Sequence, residues 1–260
     1  MQKNDLRLIL VQFNILKGKP AVNRQSIERL LDGKTSKADL ILLPEMFNTG
    51  FTAQPHQVAE SMQGDTVIWM QQLAAEKKAV VGGSLVVADD AGFYNRFLVA
   101  YPSGAVTWYD KRHLFRMGGE HNAFNAGMEQ KVIDINGWRC ALFVCYDLRF
   151  PVWSRSINDY HLALYVANWP QARLEVWNTL LKARAIENQC YVAGVNRVGQ
   201  DELGRYSGSS QVIDYKGNVK NTTVDDAEGL VEATLSMEGL ISFRNDFPVW
   251  RDADDFKVNL

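Results

Sequence analysis

Short apolar, largely β-branched runs recur along the chain: LRLILVQF (6–13), DLILL (39–43), AVVGGSLVVA (79–88), RFLVAY (96–101), RCALFVC (139–145), LALYVA (162–167), YVAGVN (191–196) and SSQVID (209–214). Several are near-continuous, the mark of strands buried on both faces. Helical patterns lie between some of them. Residues 20–32 open with Pro20 and set Ile27, Leu30 and Leu31 on one face before Gly33, a helix stop. Residues 65–78 begin at Asp65 and end in Lys77 and Lys78, charges that suit the helix dipole. In 174–189, Trp177, Leu181, Arg184 and Asn188 share a helical face, with Glu187 placed to pair with the arginine in a structural ion pair. Strands interleaved with helices predict an α/β fold.

Two hairpin-like runs, 97–111 and 207–221, carry turn signals at Pro102-Ser103-Gly104 and Lys216-Gly217-Asn218, so the sheets are expected to be mixed. The chain shows no repeat, low-complexity segment or linker, and 1–260 reads as a single domain. A net charge of −2 gives no long-range pull toward nucleic acid or an anionic membrane. The opening MQKNDLRLILVQFN is broken by Arg7 and Gln12, which favours a first strand over a leader peptide. No apolar run approaches the roughly 20 residues that span a bilayer, so the expectation is a cytoplasmic protein. The cysteines, Cys140, Cys145 and Cys190, are odd in number and lack paired spacings. His56, His113, His121 and His161 form no ligand motif either, so neither a disulfide framework nor a metal site is expected.

In α/β sheets, chemistry collects beyond the carboxyl ends of strands. Three strand ends carry useful groups: Glu45 after LILLP, Lys111 after TWYD, and Cys145 after ALFV. Singly, each has a plain reading: a solvated carboxylate, a surface charge, a core thiol. Together they form an acyl-transfer set. Glu45 can take the thiol proton if burial raises its affinity for one. Lys111 offers a charge that favours the thiolate and stabilises an oxyanion, and backbone amides after Cys145, where a helix start is expected, add a second donor.

The blocks LPEMFNTGF, YDKRHLF and CYDLRFP resemble the signature blocks of the nitrilase, or carbon–nitrogen hydrolase, superfamily. The likeness extends to NWP (168–170), KARAIENQ (182–189) and the turn ending at Gly217. It implies a four-layer α-β-β-α sandwich of two mixed sheets, which in relatives pairs into dimers. It implies Glu45 as general base, Lys111 as oxyanion stabiliser and Cys145 as nucleophile, with no metal or organic cofactor. A second glutamate is expected between lysine and cysteine, and Glu120, in RMGGEHNAFNAG (116–127), fits it as the residue that orients Lys111 and moves protons to the leaving amine. The Tyr146 amide would join Lys111 at the oxyanion.

CYDLRFP followed by NWP most resembles the omega-amidase branch, whose members hydrolyse the terminal amide of 2-oxoglutaramate and similar short dicarboxylic monoamides. Such a substrate brings a carboxylate that wants a cation, and Arg173 is the candidate. Phe115, Met117, Asn168 and Trp169 are the expected lining. Arg149 is assigned to structure, tying down the Cys145 elbow with a carboxylate. A nitrilase or an N-carbamoyl hydrolase would use the same Glu-Lys-Cys residues. A papain-like enzyme would pair Cys145 with His113 or His121, and a non-catalytic scaffold would have no reason to keep the set together. Cys140 and Cys190 read as core. The C-terminal run 241–256, with Phe247, Trp250 and Phe256, is expected to lie over a partner subunit or over its own domain.

Overall fold

A computed structural model describes residues 5–32, 37–156, 158–221 and 226–258; Gly33 lies outside the described residues. The chain runs through β1 (Asp5–Gln12), α1 (Pro20–Asp32), β2 (Leu40–Leu42), α2 (Asp65–Lys77), β3 (Val80–Asp89), β4 (Gly92–Ala100) and β5 (Val106–Asp110). It continues with β6 (Val132–Ile135), β7 (Trp138–Val144), α3 (Pro151–Ser154), β8 (Leu162–Val166), α4 (Leu174–Glu187) and β9 (Tyr191–Val195). It closes with β10 (Val198–Asp201), β11 (Gly204–Ser207), β12 (Gln211–Ile213), β13 (Gly229–Ser236) and α5 (Met237–Asp246).

Two sheets result, ordered β13-β1-β2-β3-β4-β5 and β12-β9-β8-β7-β6, with β10 and β11 forming a separate ribbon. Both sheets are mixed. β1, β2 and β3 are parallel, as are β7, β8 and β9, while antiparallel strands flank each set. The period of two explains why the runs look continuously apolar. In β1, Leu6, Leu8 and Leu10 join the core that also holds Leu42 and Phe97 and, from the second sheet, Ala141 and Phe143. Ile9 and Val11 face the other way, against Ile27 and Leu31 of α1 and Val67, Met70 and Leu73 of α2. On the far side α4 lies so close to β9 that a Cβ on Gly194 would stand 2.6 Å from Leu181 and 2.8 Å from Trp177. The layering is α-β-β-α, and the strands with unbroken apolar runs are the ones with a layer on each face.

Departures from the sequence reading have local causes. The second hairpin does not form as a strand pair: β12 pairs with β9, and the return reaches only a single bridge, Ile213 to Val219. Asp214 there accepts from the amides of Lys216 and Asn218 and closes the turn by itself. β13 and α5 add a strand and a helix that the apolar runs alone do not announce. Their marks are the alternate burial of Val231, Ala233 and Leu235, then Ser236 accepting from the Gly239 amide as helix cap. Arg184 pairs with Glu187 at 2.9 Å and also donates to the Leu148 carbonyl at 2.6 Å, so it ties α4 to the segment after Cys145. Phe256 and Val258 lie beside Met128, Val152 and Trp153 of the same chain. No helix among the described residues is long and apolar enough to cross a membrane.

Candidate active site

Glu45, Lys111 and Cys145 each enter from the end of a strand. Beyond β2 the chain reaches Glu45, and Met46 takes a φ of +42° while its amide donates to Ser84 Oγ at 2.9 Å, pinning the turn to β3. Lys111 lies just past β5 with its amide held by the Asn95 carbonyl at 3.0 Å. Glu120 opens a single 3₁₀ turn, Glu120–Asn122. Cys145 comes directly after β7 with φ +44°, a left-handed conformation that costs on the order of 1–3 kcal/mol and aims the side chain off the strand axis. The segment Cys145–Arg149 is a 3₁₀ turn, in place of the expected α-helix. The first amides of that turn, Tyr146 included, have no partner inside it.

These side chains converge. Lys111 Nζ lies 2.9 Å from Glu45 Oε1 and 2.8 Å from Glu120 Oε2, with all three groups buried. Asn95 Nδ2 donates to Glu45 Oε1 at 2.8 Å and to Glu120 Oε1 at 2.9 Å, bridging the carboxylates from beneath. The Asn168 amide donates to Glu45 Oε2 at 2.9 Å, its side chain donates to the Glu45 carbonyl at 2.6 Å, and the Phe115 amide donates to Glu120 Oε2 at 2.6 Å. The Cys145 thiol is within hydrogen-bond reach of the Glu45 carboxylate and of the Asn168 amide.

Electrostatics arise from that packing. Burial, then the charge of Glu45, push the Cys145 thiol well up, and Lys111 opposes them without prevailing. Lys111 itself is held protonated, because Glu120, Glu45 and Cys145 outweigh its burial. Lys111 thus acts toward the thiolate, but burial and Glu45 outweigh it. Its charge is shared with two carboxylates, and the resting nucleophile is a protonated thiol beside Glu45.

The other expected residues divide. Tyr146 packs its ring against Phe115 and Phe150, each at 5.2 Å. Phe115 lies edge-on to Phe51 and carries the Arg173 guanidinium 5.6 Å from its ring centre. No carboxylate pairs with Arg173 among the described residues. Trp169 is buried, donating to the Arg173 carbonyl at 2.7 Å and packing on Trp177 at 5.4 Å. Met117 does not join the group: it is 87% exposed on the outer side of the 116–118 turn and walls nothing. Arg149 stacks over Trp169 at 5.0 Å and finds no carboxylate among the described residues; the carboxylate of that turn is Asp147. Glu45 holds the place beside Cys145 that a histidine would take in a thiol–histidine hydrolase, while His113 Nδ1 bonds Asp147 at 2.8 Å.

Three site neighbours escape a reading of the sequence. Asn95 and Ser84 interrupt apolar strands at fully buried positions, the one signal that marks them. Tyr206 is buried with its ring 4.3 Å from the Arg197 guanidinium, near enough to Cys145 and Glu45 for their charges to raise the phenol alongside burial. No group of three or more potential ligands for a metal occurs among the described residues.

Residues 7–245 match the family profile described as carbon-nitrogen hydrolase. The chain is 46% identical over 254 residues to the omega-amidase YafV of Escherichia coli (strain K12), covering 97% of this chain and 98% of that protein. It is 32% identical to the 2-oxoglutaramate amidase of Bacillus subtilis (strain 168), covering 93% and 95%. A solved CN-hydrolase superfamily protein of Xanthomonas campestris, described with an arsenic adduct in its active site, superposes with a TM-score of 0.94 at 43% identity, covering 99% of this chain and all of that one. With its four-layer sandwich and its cysteine at the strand end, the chain belongs to the carbon–nitrogen hydrolase family, enzymes that act on amides and related carbon–nitrogen bonds.

Proposed function

We propose that the protein is an omega-amidase, hydrolysing the terminal amide of short dicarboxylic monoamides such as 2-oxoglutaramate through a Cys145 thioester. The observation that carries the chemistry is the buried Glu45–Lys111–Glu120 cluster with the Cys145 thiol beside Glu45. The names of the relatives, an omega-amidase at 46% identity and a 2-oxoglutaramate amidase at 32%, favour the substrate.

In the first half-reaction Glu45 accepts the thiol proton as sulfur bonds to the amide carbon. The carbonyl π pair moves to oxygen, where Lys111 and the Tyr146 amide meet the developing charge. The C–N bond then breaks, nitrogen takes the proton from the carboxyl, and ammonia departs. Glu120, bonded to Lys111, keeps the ammonium oriented and supports proton movement to the leaving nitrogen. In the second half Glu45 removes a proton from water as it adds to the thioester, and the thiolate leaves and is reprotonated. Every proton moves between Glu45, Cys145, the substrate and water, and no cofactor enters.

Arg173, exposed and without a carboxylate partner among the described residues, is the proposed anchor for the far carboxylate, with Phe115, Asn168 and Trp169 bounding the pocket. The whole chain is proposed to act as one hydrolase domain, in the cytoplasm, as a homodimer or a larger homo-oligomer.

The test is ammonia release from 2-oxoglutaramate beside glutamine, an aliphatic nitrile and an N-carbamoyl amino acid, with Cys145→Ala as blank. Turnover of the oxo-amide well above the other three, absent in the blank, is expected. Preference for the nitrile or the carbamoyl compound would keep the thiol mechanism and overturn the substrate.

A further inference from the structure

Lys111 and Cys145 stand on different sheets. β5 is the edge strand of one and β7 an inner strand of the other. No ladder of backbone hydrogen bonds therefore fixes the distance between cation and nucleophile. Away from the Glu45–Asn168 contacts the two sheets meet largely through apolar side chains, whose attraction has no direction. Acyl transfer is sensitive to that distance, since a displacement of about 1 Å can cost on the order of 100-fold in rate.

Beside Glu45, which takes the Asn168 amide, a second buried carboxylate bridges the gap. Asp147 lies two residues beyond Cys145 and is fully buried. Its Oδ2 accepts from the Val144 amide at 2.9 Å, on the residue before the nucleophile, and from the Tyr109 hydroxyl at 2.8 Å. Its Oδ1 accepts from the His113 amide at 2.9 Å and bonds His113 Nδ1 at 2.8 Å. Tyr109 and His113 flank Lys111 at two residues on either side, so the carboxylate grips the lysine's strand end from both directions.

The partners are themselves fixed. The Tyr109 hydroxyl accepts from the Arg112 amide at 3.1 Å and from Trp153 Nε1 at 3.0 Å, which with its bond to Asp147 uses its full capacity. Burial and the Asp147 charge keep that phenol protonated and therefore a donor. The His113 ring stacks on Phe150, centroids 3.8 Å apart and planes 4° apart, so the imidazole cannot swing away without losing that face.

We infer that Asp147 is a positioning residue for the reaction: through Tyr109 and His113 it sets the spacing between the Lys111 ammonium and the Cys145 sulfur. The inference rests on the thioester reading above and deepens it. Its test compares two reactions of the same thiol. Acylation of Cys145 by p-nitrophenyl acetate develops an oxyanion that must meet Lys111, whereas alkylation by iodoacetamide displaces iodide at carbon and develops none. In Asp147→Asn, acylation should fall on the order of 100-fold while alkylation stays within about threefold. Where that variant fails to fold, Tyr109→Phe removes one bond from the bridge and keeps the ring; acylation should then fall about tenfold with alkylation unchanged.

Equal loss in both reactions, or no loss in acylation from a folded variant, would overturn the inference. A wild-type protein that is alkylated at Cys145 yet never acylated would instead overturn the thioester reading beneath it.

Discussion

Glu45 is the residue whose role the geometry defines most sharply. Because the Cys145 thiol is pushed well up beside that carboxylate, nucleophilicity depends on proton transfer at the moment of attack. Glu45→Gln should therefore slow alkylation of Cys145 by iodoacetamide at pH 7.5 by at least about tenfold and reduce amide turnover by on the order of 1000-fold. An alkylation rate equal to wild type would mean that the thiolate pre-exists. Cys140 and Cys190, both buried, should remain unlabelled in the folded protein; burial, the largest influence there, pushes the Cys190 thiol up to about 12. At this scale Glu45, Lys111 and Cys145 are legible in the sequence because each is a reactive side chain placed where an apolar run stops. Asn95, Ser84 and Asp147 are not, because their importance lies in partners that come from other elements. Met117 misleads for a related reason: adjacency in sequence to Phe115 says nothing about which side of a 3₁₀ turn a side chain leaves.

Strands and helices are most legible where burial is two-sided or caps are strong. The starts of α1 and α2 are set by Pro20 and Asp65, and the parallel strands by their unbroken apolar runs. Edge elements are harder. β13 alternates, β6 has four residues, and the β10–β11 ribbon mixes charges with a single buried tyrosine. A strand start also carries a pH dependence. His161, where β8 begins, accepts the Arg139 amide at Nδ1, so that nitrogen must be unprotonated. Burial, with Arg139 and Arg244 nearby and only Asp134 opposing, lowers its pKa to about 4. In the unfolded chain the same group titrates near ~6.5, so between these values the unfolded state binds the extra proton. Stability is thus complete above pH ~6.5 and declines as pH falls toward 4, by roughly 2 kcal/mol once partial exposure is allowed for. Urea midpoints measured from pH 7 to pH 4 should show this decline, and His161→Gln should flatten it; an unchanged slope would place the acid sensitivity elsewhere.

The whole molecule joins two sheets face to face, and its activity depends on that joint. Leu8 sits in it, fully buried. Leu8→Ala should reduce unfolding free energy by about 2–5 kcal/mol, with ammonia release and the near-ultraviolet signal vanishing in one urea transition. Activity outlasting that signal would show that the site survives without the joint. The layering itself is legible only in part. Two-sided strands and helical segments fix an α/β class, but nothing local says which sheet a strand joins, and that long-range choice decides that base and nucleophile meet. One consequence reaches back to the chain as it is made. Glu45, Lys111 and Glu120 all precede Cys145 in the chain, the first two at strand ends of the opposite sheet. A half-assembled chain therefore exposes an ordinary cysteine with no base beside it, inert toward the amides of its surroundings. Reactivity switches on only when the two halves close, which makes the chemistry its own certificate of folding.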